Sequence, residues 1–180
     1  MISTPEIVKE TSSAVIQHRQ RQSSQNIRQN RFLIIACGDR LHGDAAAAPL
    51  VAATVSNWQL ESVKALTTEQ LAPKLVFNLA SADYAIFVES CPADRSNAQT
   101  TQICPVVANK SSLKAIKPDE QCDCDTLLAL TQQFYDRIPQ CWTLKMPTER
   151  FGIGQPLSST SRTGVDSALR TINQFLRTYQ

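Results

Sequence analysis

From residue 32 onward, short and strongly apolar runs alternate with helix-forming stretches, and this alternation restricts the fold more than any other feature of the chain. "FLIIAC" at 32–37 and "YAIFVES" at 84–90 are almost wholly apolar, as expected for strands covered on both faces. Further strand-like runs fall at 61–66, at 101–107 ("TQICPVV") and at 141–146 ("CWTLKM"). Helix-forming stretches fall at 44–57, 68–80, 124–136 and 159–178. In the last of these, Val165, Leu169, Ile172 and Leu176 recur at spacings of 4, 3 and 4, which places them on one stripe read as core-facing. The pattern predicts an α/β fold with a mainly parallel central sheet.

Nothing after residue 31 interrupts this pattern, so 31–180 are read as a single domain, long enough to bury a substantial core. Residues 1–30, ending in "QHRQRQSSQNIRQN", are polar and carry little that can bury. They are read as an N-terminal extension with one frayed helix near "EIVKETSSAVIQ". A net charge of +2 is too small to indicate a nucleic-acid or membrane partner. The apolar runs are shorter than a bilayer span, and the first residues have neither the basic start nor the apolar core of a signal peptide. A cytoplasmic location is therefore expected. The six cysteines form no CxxC pair, and Cys37, Cys91, Cys104 and Cys141 fall in or beside strand-like runs, so they are read as small buried thiols in a reducing compartment.

In open α/β sheets the ligand crevice lies beyond the carboxyl ends of the parallel strands. Three groups of residues stand there. Asp39, Arg40, His42 and Asp44 follow the first run, Glu89 closes the third, and "DEQCDCD" (119–125) precedes a later helix. Asp44 in front of "AAAAPLVAA" is read as a helix N-cap, with Gly43 making the turn before it. Glu89 ends a buried strand, so it either reaches solvent in a crevice or needs a partner. The spacing in "DEQCDCD" matches neither a structural zinc site nor a calcium loop. Its acids suit the first turn of a helix, with Asp123 or Asp125 as the cap. His42 is the one histidine near the crevice, and His18 in the polar extension is expected to be solvated. The chain has no Ser-His-Asp order, P-loop or dinucleotide fingerprint. "FGIGQPLS" contains a GxG without the third glycine and is read as a substrate-facing loop.

In order and spacing, "GDRLHGDAAAA", "EQLAPKLVFNLASADYAIFVES", "LLALTQQFYDRIPQCWTLKMP" and "FGIGQPLSSTSRTGVDSAL" resemble the hydrogenase maturation endopeptidases, whose first loop reads G-N-x-L-x-x-D-[DE]-G-x-G. The resemblance implies a three-layer α/β/α sandwich around a twisted, mainly parallel five-stranded sheet. It implies a protease that removes a C-terminal extension from the large-subunit precursor of a nickel hydrogenase, with the nickel supplied by that substrate. It also implies a ligand set of two acids and a histidine. Carried over by position, the first acid falls on Ala45, which cannot coordinate, and the second on Glu89. The histidine falls on Glu120, or on Gln121 or Cys122 if the count slips by one or two residues. Glycines of the family loop are replaced by Ala46 and Ala48.

On this resemblance the expected catalytic residues are Asp44, Glu89 and Glu120. The expected metal ligands are Glu89 and Glu120, joined by His42 and by Asp44 if it turns inward and gives up its capping bond of about 1 kcal/mol. Carboxylates without imidazole suit magnesium, calcium or manganese better than nickel. Two activities follow: cleavage with an altered ligand set, or a chain that binds a protein C-terminal tail without cutting it. A small-molecule enzyme reusing the crevice is a third, more remote reading.

Overall fold

The structure is a computed structural model describing residues 31–92, 100–109 and 119–179; the extension expected over 1–30, with its frayed helix and His18, lies outside the described residues. The elements in chain order are β1 (Phe32–Cys37), α1 (Ala47–Asn57), β2 (Val63–Thr68), α2 (Val76–Ala80), β3 (Tyr84–Pro92), β4 (Gln102–Val106), α3 (Cys124–Tyr135), β5 (Gln140–Thr148) and α4 (Ser159–Tyr179). Short 3-10 turns at Gly43–Ala46 and Pro73–Leu75 lead into α1 and α2.

The five strands form one sheet in the order β2-β1-β3-β5-β4. β1 runs parallel to β2 and β3, β3 runs parallel to β5, and only β4 is antiparallel, at the edge against β5. The two most apolar runs therefore lie side by side in the interior of the sheet, where both faces are covered. Pro105 sits in β4, at an edge, where a missing N–H breaks no ladder on the open side.

Alternating side chains of the central strands feed two cores. Phe32, Ile34, Ala36, Ile86, Val88, Leu144 and Met146 pack with α1 and α4 on one face. Leu33, Ile35, Ala85 and Phe87 pack with Leu75, Leu79, Leu127 and Leu128 on the other. The result is the expected three-layer α/β/α sandwich. Each fully buried Leu, Ile or Phe contributes about 1.5–3 kcal/mol through removal of its apolar surface from water. The stripe foreseen on α4 does face the core: Val165, Ile172 and Leu176 are buried, and Leu169 is partly buried against them. At the amino ends of the strands, Phe32, Tyr84, Trp142, Phe175 and Tyr179 form a ring cluster, with the Arg31 guanidinium over Phe32 and Tyr84. Aromatic packing thus closes that end of the sheet and leaves the carboxyl ends for a ligand.

Several boundaries differ from expectation, each for a local reason. The helix expected over 68–80 shortens to the turn at 73–75 and α2. Thr68 still belongs to β2, and Ala72, preceding Pro73, is held extended at φ −151° and ψ 158°. β2 begins at Val63, because a turn closed by Val63 N–H to the Leu60 carbonyl occupies the residues before it. β3 and β5 run on to Pro92 and Thr148 because they continue to pair with each other. All six cysteines are free, but only Cys141 is buried and Cys104 is exposed on the edge strand, so burial is not a general property of these thiols. No helix among the described residues is long and apolar enough to cross a membrane.

Candidate functional site

β1, β3 and β5 are in parallel register where β1 ends. Cys37 is the Cα partner of Glu89, and Glu89 that of Lys145, so these three form a row across the carboxyl end of the sheet. Directly opposed residues of neighbouring strands project to the same face. Here that face opens into a cavity of about 490 Å³ lined by all three, together with Ser90 and Thr143. Glu69, Gln70 and Leu71, just after β2, form one side, and residues 121–125 at the start of α3 form another.

The wall ahead of α3 is stitched to the segment after β2. Cys122 N–H donates to the Leu71 carbonyl at 3.0 Å, Gln70 Nε2 donates to the Asp119 carbonyl at 2.8 Å, and Lys74 Nζ lies 3.3 Å from Asp119 Oδ1. Between these anchors Glu120 is exposed, and it is not part of the cavity lining. Glu89 and the 119–125 stretch therefore do meet at the same end of the sheet, but Gln121, Cys122, Asp123, Cys124 and Asp125 form the wall in place of Glu120. Asp123 takes the N-cap position of α3 with extended backbone, and the Asp125 carboxylate accepts from Thr126 N–H at 2.8 Å in the first turn.

Asp44 is placed quite differently from its expected roles. It does not cap α1, and its carboxylate does not line the cavity. Gly43 adopts φ +50°, and Asp44 N–H donates to the Arg150 carbonyl at 2.7 Å, which turns the side chain into the protein. There Asp44, fully buried, accepts from Glu149 N–H (2.8 Å), Arg150 N–H (2.9 Å), Ser158 N–H (2.7 Å) and Ser158 Oγ (2.7 Å). Burial by itself would raise this carboxyl, but the donors from Ser158, Glu149 and Arg150 hold it well below the usual carboxylate range. Ser158 Oγ in turn accepts from Ser161 N–H at 3.0 Å, so the serine caps α4 while it holds Asp44. A carboxylate committed to four donors is not available to coordinate a metal or move a proton.

His42 is likewise engaged elsewhere. Its Nδ1 lies 2.6 Å from Asp39 Oδ2, and Asp39 Oδ1 accepts from Leu41 N–H at 2.8 Å. The backbone hydrogen bond from Leu41 leads the effects that lower the Asp39 carboxyl. The "FGIGQPLS" loop packs against this turn, with Gly154 N–H donating to the Leu41 carbonyl at 2.9 Å, and lines no part of the cavity beside Glu89. The two glycines of the first loop serve closeness and turning. A Cβ on Gly38 would stand 2.2 Å from the Ala45 carbonyl oxygen, and one on Gly43 would stand 2.7 Å from that of Arg150.

Among the described residues, no three or more His, Cys, Asp or Glu side chains are grouped so that they could hold a metal ion. The expected set of His42, Asp44, Glu89 and Glu120 is therefore not assembled, because hydrogen bonds draw off the first two and the path of the 119–122 segment leaves the last outside. The cavity lining offers carboxylates and thiols but no imidazole. Its charged members are Glu69, Glu89, Asp123 and Asp125 against Lys145.

Sequence reasoning placed the 119–125 stretch at the crevice but did not foresee which thiols stand beside Glu89. Cys124 Sγ lies 3.5 Å from Glu89 Oε1, and Cys37 is its neighbour on β1. Burial, reinforced by the charge of Glu89, pushes Cys37 up to about 12 and Cys124 higher still. Burial, with Asp123 and Asp125, pushes Cys122 to about 11. At neutral pH these sulfurs are protonated donors rather than nucleophiles. The register of the apolar runs was the one available signal for the Cys37–Glu89 pair, since both residues directly follow the buried stretch of a central strand.

No family model and no curated protein matches the sequence. Solved structures do match the fold. The [NiFe] hydrogenase maturation protease HybD from Thermococcus kodakarensis superposes with a TM-score of 0.61 at 16% identity, over 81% of this chain and 98% of that one. The hydrogenase maturating endopeptidase HybD from E. coli gives 0.59 at 16% identity, over 83% and 93%. The hydrogenase 2 maturation peptidase from Thaumarchaeota archaeon SCGC_AB-539-E09 gives 0.60 at 17% identity, over 82% and 98%. The chain has the fold of these maturation proteases.

Proposed function

We propose that this chain acts in nickel-hydrogenase maturation, receiving the C-terminal segment of a hydrogenase large-subunit precursor in the cavity beside Glu89. The likeness of the whole fold to maturation proteases carries this reading, supported by the cavity at the carboxyl end of the sheet. The nickel belongs to the substrate. The free state of all six cysteines fits work in the reducing cytoplasm.

Removal of the C-terminal peptide is the first form of this role. In it, Glu89 takes a proton from the water that attacks the scissile carbonyl, and Lys145, its partner in register on β5, faces the negative charge that develops there. A second form, holding the tail without cutting it, is favoured by one observation: the cavity has no imidazole, and no three donors are grouped for a metal. Incubation with a nickel-loaded large-subunit precursor, with a competent maturation protease as control, separates the two. A shortened precursor supports cleavage, and a stable complex of unchanged length supports holding. Neither shortening nor complex formation would remove the maturation role altogether.

A further inference from the structure

Glu89 carries three side-chain torsions and stands partly buried in β3, directly after that strand's fully buried stretch. A carboxylate of that kind keeps one orientation only where a fixed donor holds it. The donor here is Cys124, whose Sγ lies 3.5 Å from Oε1. Cys124 is the first residue of α3, and its backbone is anchored on both sides. Cys122 N–H bonds to the Leu71 carbonyl upstream, and Leu127 and Leu128 are buried in the core downstream. With a single torsion of its own, the thiol is placed by the main chain. In the sheet, the neighbours of Glu89 are Cys37 and Lys145, both beside it in the row across the strands. Burial keeps the proton on Cys124 at neutral pH, so the sulfur has a hydrogen to donate.

We infer that Cys124 is a positioning residue: its S–H donates to Glu89 and holds that carboxylate across the cavity, set to accept from a water or from a peptide N–H of the bound segment. The consequence for binding is entropic. A carboxylate already held loses less freedom when the ligand arrives. The functional part of this inference rests on reading the cavity as the peptide site, whereas the hydrogen bond itself does not.

The experiment has two arms. In ligand-free protein, the infrared S–H stretch of Cys124 is isolated as the difference between wild type and Cys124→Ser. It is expected at lower frequency than a free thiol, and is expected to return to the free position in Glu89→Ala. A band at the free position in wild type, or one that Glu89→Ala does not move, overturns the inference. In the second arm, Cys124→Ala is expected to weaken binding of the nickel-loaded precursor roughly three- to tenfold, the worth of one hydrogen bond. Cys124→Ser, which keeps a donor, is expected to restore most of it, and equal weakening by both substitutions overturns the positioning role. A shifted band in a protein that binds no precursor would sink the proposed function and leave the Cys124–Glu89 pair standing.

Discussion

Asp44 and Ser158 stand 114 positions apart in sequence and share two hydrogen bonds of 2.7 Å, one from the serine N–H and one from its hydroxyl. This pair joins the turn after β1 to the start of α4 and buries a charge between them. A buried carboxylate survives only with donors on most of its lone pairs, and here the chain supplies them from three residues that follow β5.

Replacing Asp44 by alanine leaves those donors facing each other without an acceptor. The Asp44→Ala protein is expected to lose about 2–4 kcal/mol of stability, read as a lower midpoint in urea with an unchanged slope. A loss below about 0.5 kcal/mol would mean that the loops hold together without the carboxylate.

The same residue sets an acid response. Its carboxyl is depressed in the folded chain, whereas in the unfolded chain it takes up a proton near the ordinary value of about 4. Its contribution is therefore complete at neutral pH, begins to fall below about pH 4, and is lost as Asp44 itself is protonated at still lower pH. The stability gap between wild type and Asp44→Asn is expected to narrow through that range. A gap independent of pH would contradict the assignment.

Gly38→Ala tests how tightly the first loop closes. The added methyl would meet the Ala45 carbonyl at 2.2 Å and Pro49 Cδ at 2.9 Å, so the loop must move. Overpacking of this kind costs about 1–3 kcal/mol, and thermal unfolding of the variant should show it. The wild-type midpoint in the variant would mean that the loop accommodates the methyl freely.

Thiol labelling should follow exposure and proton affinity. With iodoacetamide near pH 8, Cys104, exposed on β4, is expected to react first. Cys37 and Cys122, held up at about 12 and 11, and Cys124, higher still, should label only as the pH is raised toward those values. Peptide mapping by mass spectrometry reads the order, and rapid neutral labelling of Cys37 or Cys124 would contradict it.

Nickel provides the last check. Equilibrium dialysis of the ligand-free protein is expected to show no stoichiometric uptake, since no three donors are grouped among the described residues. Uptake of one ion per chain that disappears in Glu89→Gln would restore a metal site at the cavity.

The elements were legible because their causes are local. "FLIIAC" and "YAIFVES" carry too little polar surface for anything but interior strands, and the 4-3-4 stripe on α4 faces its core as the spacing requires. Glu89 was singled out for the same reason, as an acid closing such an apolar run, and it does line the cavity. Asp44 misled because an acid before an alanine-rich helix reads as a cap. The residues that claim it lie beyond β5, out of reach of any local pattern.

Periodicity and apolar content thus specified which segments become strands and helices, and the connections between them leave few ways to stack the layers. The partners of the charged and sulfur-bearing side chains were decided only in three dimensions. Gly43 turns Asp44 inward, the stitches from Gln70, Leu71 and Lys74 leave Glu120 exposed, and the start of α3 brings the Cys124 thiol to Glu89. Burial is written into short stretches of sequence. Pairing depends on loop paths that bring distant residues within about 3 Å of one another, and no local stretch encodes that distance.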